Sequence, residues 1–300
     1  MLEYRFRARH YPVISGFEAQ RVLELMETSA KIEINLSLGK DNYLPAEVEG
    51  NSSIIFQWEY PEYGQREVAL SIDLLRNISK KEERIFAILP NGELKHLAFF
   101  SDNSYYQLIA ISATDAPTIE INGIRMHRTK DITPFRDAES KVRLLRIRPG
   151  MIVLDICTGL GYTSIIEKRH GGNVITIEKD SNVLKIATYN PWSKELEDIK
   201  IINDDATNYI PNLKDNFFDR ILNDPPRFSV AGELYSLDFF KEIYRVLKPG
   251  GIFFQYTGTP GEKYRGKNII RGIGERLRTT GFHIKFVSRT KGFLCRKPRL

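Results

Sequence analysis

The sequence predicts an α/β protein in two parts. A smaller α+β domain spans residues 1–125; residues 126–300 form a seven-stranded, mostly parallel sheet ending in an antiparallel hairpin. Three observations predict this. From about residue 136 strand-like and helix-like segments alternate, the pattern of a parallel sheet covered by helices on both faces. The segments IVLDI (152–156) and GIFFQY (251–256) are continuous apolar runs, as burial on both faces requires. In the first domain KIEINLSL (31–38) instead alternates apolar and polar residues, the mark of a half-buried strand.

The elements of the first domain follow in order. GFEAQRVLELMETS (16–29) has helical spacing, with Phe17, Val22, Leu25 and Met26 able to share one face. KIEINLSL turns Ile32, Ile34, Leu36 and Leu38 inward. SSIIFQWEY (52–60), EVALSI (67–72), RIFAIL (84–89), HLAFF (96–100), YYQLIAIS (105–112) and PTIEING (117–123) read as further strands. Turn residues separate them: Pro61 and Gly64, Pro90-Asn91-Gly92, and Asp102-Asn103. Asn91-Gly92 is a hairpin signal, because both residues accept positive φ. Nothing here concentrates His, Cys and carboxylates. This domain is expected to position a substrate or to dimerise.

In the second domain SKVRLLRIR (140–148) is helical and Pro149-Gly150 stops it. There follow the strand MIVLDIC, the helix YTSIIEKRH (162–170), the strand NVITIE (173–178) and the helix SNVLKIATYN (181–190). Two strands come next, IKIIN (199–203) and FFDRILN (217–223), then the helix LYSLDFFKEIYRVL (234–247). GIFFQY, the helix NIIRGIGERLRTT (268–280) and the strands HIKFVS (283–288) and GFLCRK (292–297) complete the set. The short loop between the last two implies the hairpin.

Composition removes several classes of function. With 42% hydrophobic and 27% charged residues the chain can bury a core and is not a disordered polymer. No stretch approaches the ~20 apolar residues of a membrane span. The N-terminal MLEYRFRARHYP lacks an apolar signal core, so a cytoplasmic protein is expected. Two cysteines, Cys157 and Cys295, cannot build a disulfide scaffold or a four-thiolate zinc site, and no metal set is expected. Charge is uneven. Residues 1–133 carry 15 Lys+Arg against 19 Asp+Glu; from Lys263 to Leu300 there are 12 basic residues and one acid, Glu275. Such a block either attracts a polyanion through counterion release or is a solvated basic surface.

The chemistry concentrates in the second domain. In Leu154-Asp155-Ile156-Cys157-Thr158-Gly159-Leu160-Gly161-Tyr162-Thr163 a buried strand ends in an acid and turns through two glycines into a helix. Glycine permits the sharp bend and the close approach of a ligand. A dinucleotide fingerprint would carry a third Gly or Ala where Ser164 stands. An acid four residues before the first glycine is poor for a diphosphate and good for an ammonium, and S-adenosylmethionine offers an ammonium, a sulfonium and no phosphate. Glu178, at the next strand end, can accept both hydroxyls of a ribose. Asn203-Asp204-Asp205-Ala206 ends the third strand, placed to reach an adenine amino group, and Asn223-Asp224-Pro225-Pro226-Arg227-Phe228 ends the fourth. Open α/β sheets bind ligands at these carboxyl ends.

On these residues the second domain resembles the Rossmann-like class I S-adenosylmethionine-dependent methyltransferases. More narrowly, it is similar to a family of predicted archaeal methyltransferases through GIRMHRTKDITP, LDICTGLGYTS, ITIEKD, NPWS, NDPPRFSVAGELYS, YRVLKPGG and YTGTPGEKYRG. The resemblance implies S-adenosylmethionine as cofactor. It implies that Asp155 and the turn Cys157, Thr158, Gly159, Gly161, Tyr162 and Thr163 hold the methionine part. It gives Glu178 with Lys179 the ribose, and Asp205 with Ala206 the adenine edge, Asp205 being preferred to Asp204 because Asp-Ala is the usual pair. Asp224 would border both cofactor and acceptor. Asp224-Pro225-Pro226 stands where methyltransferases of exocyclic base amines carry Asn/Asp-Pro-Pro-aromatic. An amine conjugated into a base is a weak nucleophile, and a fixed acceptor for its N–H raises electron density on nitrogen. Here Arg227 takes the aromatic position and Phe228 follows. This variant also resembles ribosomal RNA methyltransferases acting on carbon or nitrogen, so the methylated atom stays open.

The expected activity is methyl transfer to an RNA base, with a nitrogen as the leading acceptor; a small-molecule acceptor and a homodimer are the other expectations for partners. One alternative is an aminopropyltransferase of the spermidine synthase type, using Asp219 and Asp224 as acids for a polycationic acceptor. Another is a non-catalytic module that binds cofactor and RNA. His127-Arg128-Thr129-Lys130-Asp131 is read either as a lid over the cofactor or as an interdomain linker, with His127 either a base or a structural hydrogen-bonder. Tyr256 to Lys267, with Lys263, Tyr264, Arg265 and Lys267, is either a phosphate- and base-binding segment or a surface loop. Cys157 inside the turn and Cys295 on the last strand are poorly placed for a covalent cysteine mechanism, and none is expected.

Overall fold

The computed structural model describes residues 3–41, 43–50, 52–228, 230–258 and 265–299, the side chains of 265–268 excepted. The chain divides into two compact units. One comprises Met1–Phe6, Arg136–Ser181 and Glu195–Leu300, the other Arg7–Phe135 and Asn182–Lys194.

The second of these is built from antiparallel sheets. After β1 (Glu3–Tyr4), which belongs to the other unit, β2 (Val13–Ser15) runs into α1 (Gly16–Met26). Next come β3 (Lys31–Ile34), β4 (Leu44–Glu49), β5 (Ser53–Tyr60) and β6 (Gly64–Ser71), a meander in that order, and then α2 (Ile72–Ser79). With β2, β7 (Ile85–Ile88) and β8 (Leu94–His96) form a three-stranded sheet. A last sheet has the order β12-β11-β10-β9, from β9 (Ala98–Ser101), β10 (Ser104–Ile109), β11 (Thr118–Ile121) and β12 (Ile124–Arg125). Ile14, Val22, Ile34, Ile54, Phe56, Leu70 and Leu75 fill its core. The Asn91-Gly92 hairpin joins β7 to β8, with Gly92 at φ +79°.

Three details differ from expectation. The buried stripe of α1 is Glu18, Ala19 and Val22, with Phe17, Leu25 and Met26 only partly buried, because the Glu18 carboxylate turns inward to accept the Asn35 N–H (2.7 Å) and the Arg21 guanidinium (2.6 Å). β3 stops at Ile34, where Asn35 Oδ1 accepts the backbone N–H groups of Ser37 and Gly39 and bends the chain; Leu36 and Leu38 are nevertheless buried. Residues 182–194, inside the second half of the sequence, fold with this unit. Asn182 donates to Asp102 (2.9 Å), Trp192 Nε1 donates to the Leu38 carbonyl (2.9 Å), and Tyr189 stacks on Tyr11 at 6.1 Å. The boundary therefore falls at Phe135/Arg136 and not at 125, with this excursion added.

After β1, the other unit resumes with α3 (Pro134–Leu145, of which Pro134 and Phe135 lie in the antiparallel unit), which begins six residues earlier than predicted and ends three residues earlier, and alternates thereafter. It contains β13 (Ile152–Ile156), α4 (Tyr162–Arg169), β14 (Asn173–Glu178), α5 (Ser181–Ala187, of which only Ser181 lies in this unit), β15 (Lys200–Asn203) and α6 (Ala206–Tyr209). β16 (Phe218–Asn223), α7 (Leu237–Val246), β17 (Leu247–Tyr256), α8 (Arg265–Thr279), β18 (His283–Val287) and β19 (Gly292–Arg296) follow. The sheet order is β1-β15-β14-β13-β16-β17-β19-β18. The seven expected strands and the terminal antiparallel hairpin are present. β1 adds an eighth strand, antiparallel to β15, with Glu3 opposite Ile202. Phe218, Ile221, Phe240, Ile243 and Phe253 are completely buried between sheet and helices.

Strand order reverses at β13, which pairs in parallel with β14 on one side and β16 on the other. Ile156 lies opposite both Ile177 and Asn223, and Glu178 opposite Asn203. The four carboxyl ends are thus in register, and the crevice of the fold opens beside Asp155, Glu178, Asp204-Asp205 and Asp224. Among the described residues no helix is long and apolar enough to cross a membrane.

Candidate active site

Asp155 sits near the end of β13 and is completely buried. The Thr176 hydroxyl donates to its Oδ2 (2.7 Å), and Thr176 is linked in turn to Thr158 Oγ1 (2.6 Å). Oδ1 has no hydrogen-bond partner. Burial pushes this carboxyl up to about 7; the hydroxyls of Thr176 and Thr163 oppose the rise, and the charges of Asp224 and Glu178 add to it. A buried carboxylate with a vacant lone pair is costly unless a cation or donor comes to it.

The turn after β13 is shaped by positive φ at Cys157 (+71°), Gly159 (+55°) and Gly161 (+82°). A Cβ on Gly161 would stand 2.6 Å from Leu196 Cγ and both Cδ atoms, so this position lacks room for a side chain as well as favouring glycine's backbone. Glu178 holds the turn: its Oε2 accepts the Gly159 N–H (2.9 Å) and its Oε1 the Asp180 N–H (3.0 Å). Burial raises its carboxyl and these backbone donors oppose the rise. Thr158, Tyr162, Thr163 and Ala206 are buried around the turn and the adjoining strand end, and Cys157 is half-buried. Burial, and then the surrounding carboxylates led by Glu178, drive the Cys157 thiol far up, which leaves little thiolate for nucleophilic attack.

Asp205 caps α6, accepting from the Thr207 N–H (2.9 Å) and hydroxyl (2.7 Å), and pairs with the exposed Lys179 (2.7 Å). Burial pushes its carboxyl up, but Lys179 and Thr207 outweigh it and the net shift is downward. Asp204 faces its own chain, accepting the Asp205 N–H (2.7 Å).

Asp224 follows β16 and is held on both oxygens by Lys141 of α3, at 2.8 Å to Oδ1 and 2.7 Å to Oδ2. Asn223, buried beside it, donates to Gln255 Oε1 (2.8 Å) on β17, and its own Oδ1 has no partner. Pro225 is buried, and the Pro226 carbonyl accepts the Tyr235 hydroxyl (2.9 Å). Phe228 packs on Tyr235 at 5.3 Å, whereas the Arg227 side chain is exposed and its carbonyl accepts the Val230 N–H (2.7 Å). The aromatic after the prolines is therefore Phe228, turned into the site wall.

Other candidates lie elsewhere. His127 belongs to the antiparallel unit, where Nδ1 lies 3.0 Å from Thr118 Oγ1. Asp219 starts β16, at the opposite end of the strand from Asp224, where it accepts the Ile152 N–H (2.9 Å) and pairs with Lys248 (2.9 Å). Thr259 to Tyr264, including Lys263, and the side chains of Arg265 and Lys267 lie outside the described residues. No group of three or more metal-ligating side chains occurs among the described residues. Sequence reading missed Lys141, Asp137, Thr176 and Tyr235. The Asp137/Lys141 spacing of four falls on one helix only because α3 begins at Pro134, ahead of the helix predicted from residue 140, and such a spacing otherwise resembles an ordinary surface ion pair.

The donor set fits S-adenosylmethionine. Asp155 offers a buried oxygen without a hydrogen-bond partner, carboxylate acceptors stand at the ends of β14 and β15, and the intervening turn has no side chain at Gly161. Residues 154–255 match a family model described as a methyltransferase domain. Over 278 residues the chain is 46% identical to an uncharacterized protein of Methanocaldococcus jannaschii, covering 92% of each chain. Over 113 residues it is 30% identical to a demethylmenaquinone methyltransferase of Listeria monocytogenes, covering 37% of this chain and 46% of that protein. Among solved structures, spermidine synthase from Thermotoga maritima superposes with a TM-score of 0.50 at 19% identity, covering 66% of this chain and 70% of that one, a likeness of fold alone.

Proposed function

Since the chain belongs to the class I S-adenosylmethionine-dependent methyltransferases, in one family with the M. jannaschii protein, and takes S-adenosylmethionine as its cofactor, we propose that it methylates an RNA base at a ring-conjugated nitrogen. The observation that carries the reading is the register of four strand ends: an unpartnered buried oxygen on Asp155, free acceptor capacity on Glu178 and Asp205, and an immobilised Asp224 beside paired prolines.

When bound, S-adenosylmethionine supplies an electrophilic methyl group on a sulfonium. Asp155 Oδ1 accepts from the ammonium, which restores the charge that burial disfavours. Glu178 accepts backbone N–H groups of the chain and would turn its remaining acceptor capacity to ribose hydroxyls. Asp205 would take the adenine amino group in place of the exposed Lys179. Asp224 accepts an N–H of the acceptor and thereby orients the nitrogen lone pair for in-line attack, a contribution of positioning. Tyr235 fixes the Pro226 carbonyl and with it the rigid step that follows Asp224. The exposed Arg271, Arg278, Lys285, Arg289 and Arg296 on α8 and the last hairpin give this unit the electrostatic character an RNA ligand calls for.

Aminopropyl transfer is disfavoured by two positions. Asp219 is engaged at the far end of β16, and Asp224 faces a buried ammonium, which leaves a polycationic acceptor without the acidic pocket it needs. The test is incubation with methyl-labelled S-adenosylmethionine and separate RNA, protein and polyamine fractions. Label in an N-methylated nucleoside supports the reading; label confined to protein or polyamine overturns it.

A further inference from the structure

The Lys141 ammonium is enclosed by the site itself. Its side chain is 4% exposed, and so is that of Asp137, one turn earlier on α3. Nζ lies 2.8 Å from Asp137 Oδ2, 2.8 Å from Asp224 Oδ1 and 2.7 Å from Asp224 Oδ2, so its three N–H donors have three carboxylate partners. The Tyr256 ring covers the ammonium with its centroid 4.1 Å away. Asp224, at 20% exposure, is the open member of the group.

We propose that Lys141 is a positioning residue of the acceptor site, fixing the Asp224 carboxylate as a hydrogen-bond acceptor and preventing it from serving as the base that takes the acceptor's proton. The inference rests on the reading of Asp224 given above. The Lys141 ammonium donates to both oxygens of the carboxylate and so fixes the plane in which Asp224 meets an acceptor N–H. Protonating Asp224 would strip a buried cation of half its partnership, and breaking a buried pair is strongly unfavourable. As the nitrogen–methyl bond forms and the carbon–sulfur bond breaks, the nitrogen becomes cationic and the sulfur neutral. Asp224 stabilises that cation, and the N–H proton leaves to bulk water.

The charged and titratable groups facing Asp224 come from several elements. They are Lys141 and, through it, Asp137 on α3; Asp155 and Cys157 on β13 and its turn; Tyr235 before α7; and Tyr256 at the end of β17. Burial works against the Lys141 ammonium, but Asp224 and then Asp137 outweigh it, so its proton is held more tightly than in water.

The experiment compares Lys141→Met and Lys141→Arg with the wild type. Three quantities are measured: S-adenosylmethionine affinity by calorimetry, kcat for label transfer against pH, and titration of the Asp224 carboxyl by carbon NMR, assigned through Asp224→Asn. Lys141→Met should keep cofactor affinity within about threefold and lose about 100-fold in kcat, the scale of a misplaced reacting group. Its acidic limb of kcat and its Asp224 titration should both move to higher pH, because the Lys141 cation that favours the ionised carboxylate is gone. Lys141→Arg should keep the wild-type limb and recover part of kcat; should Lys141→Met not fold, this variant decides. An Asp224 titration that does not move in Lys141→Met, or a limb in Lys141→Arg displaced from wild type, overturns the proposal. The titration needs no acceptor, so label found in polyamine would remove the RNA reading and leave Lys141 to be judged separately.

Discussion

Thr176 binds one oxygen of Asp155 at 2.7 Å and leaves the other without a partner in a fully buried position. This pairing of a satisfied and a vacant oxygen, on neighbouring strands, is what the proposed role of Asp155 as acceptor for the cofactor's ammonium rests on. It also ties ligand binding to protonation.

Cofactor affinity should therefore depend on pH. With its carboxyl pushed up to about 7, Asp155 in the free protein is increasingly protonated below neutrality, while the bound ammonium needs it ionised. The dissociation constant for S-adenosylmethionine should rise as pH falls from about 8 to 5, by up to about tenfold per unit below the midpoint. Calorimetry across that range checks this; a flat profile would separate Asp155 from the ammonium.

Asp155→Asn should bind the cofactor roughly 10- to 150-fold more weakly, the loss of about 1.5–3 kcal/mol from a charged hydrogen bond. The ligand-free variant should be the more stable protein. A carboxyl whose folded pKa lies above its unfolded value weakens the fold at high pH, and the penalty fades as pH falls through the folded value toward the unfolded one. The gain in Tm for Asp155→Asn should accordingly be larger at pH 8 than at pH 5. Equal melting temperatures at pH 8 would contradict the burial argument.

How much of this was legible without coordinates follows from what each residue needs. Strands such as IVLDI declare themselves because both faces are buried, and Asp155, Glu178, Asp205 and Asp224 stood out as acids ending apolar runs. β4 escaped because Pro45 interrupts the Leu44, Ala46, Val48 alternation and Ala46 gives it a weak apolar signal, although Glu47 and Glu49 keep the period. Residues 182–194 read as part of the second half because periodicity reports a helix and not what it packs on. Lys141 was invisible for a different reason. Its partner Asp224 lies 83 residues away, and only the pairing of β13 with β16 fixes that end of the sheet.

Gly161→Ala should destabilise the turn by about 1–3 kcal/mol, because φ +82° is unfavourable for alanine and the new Cβ meets Leu196 at 2.6 Å. Adding Leu196→Ala relieves the contact but not the dihedral. The double variant should thus recover part of the activity-independent loss in Tm, and full recovery would show that packing alone requires glycine here.

Asp224→Ala should lower kcat for methyl transfer while cofactor affinity stays within a few-fold of wild type, as expected when an interaction acts on the transition state. Single-turnover label transfer alongside calorimetry separates the two quantities. Transfer at the wild-type rate would reduce Asp224-Pro225-Pro226 to a strand terminator.

The four strand ends should hold S-adenosylmethionine with its reactive end toward Asp224, and a crystal structure with S-adenosylhomocysteine decides it. The amino group should lie within hydrogen-bond distance of Asp155 Oδ1, the ribose hydroxyls on Glu178, the adenine amino group on Asp205 in place of Lys179, and the sulfur should face Asp224 and Lys141. A ligand bound elsewhere, or one that leaves Asp155 Oδ1 without a partner, would contradict it.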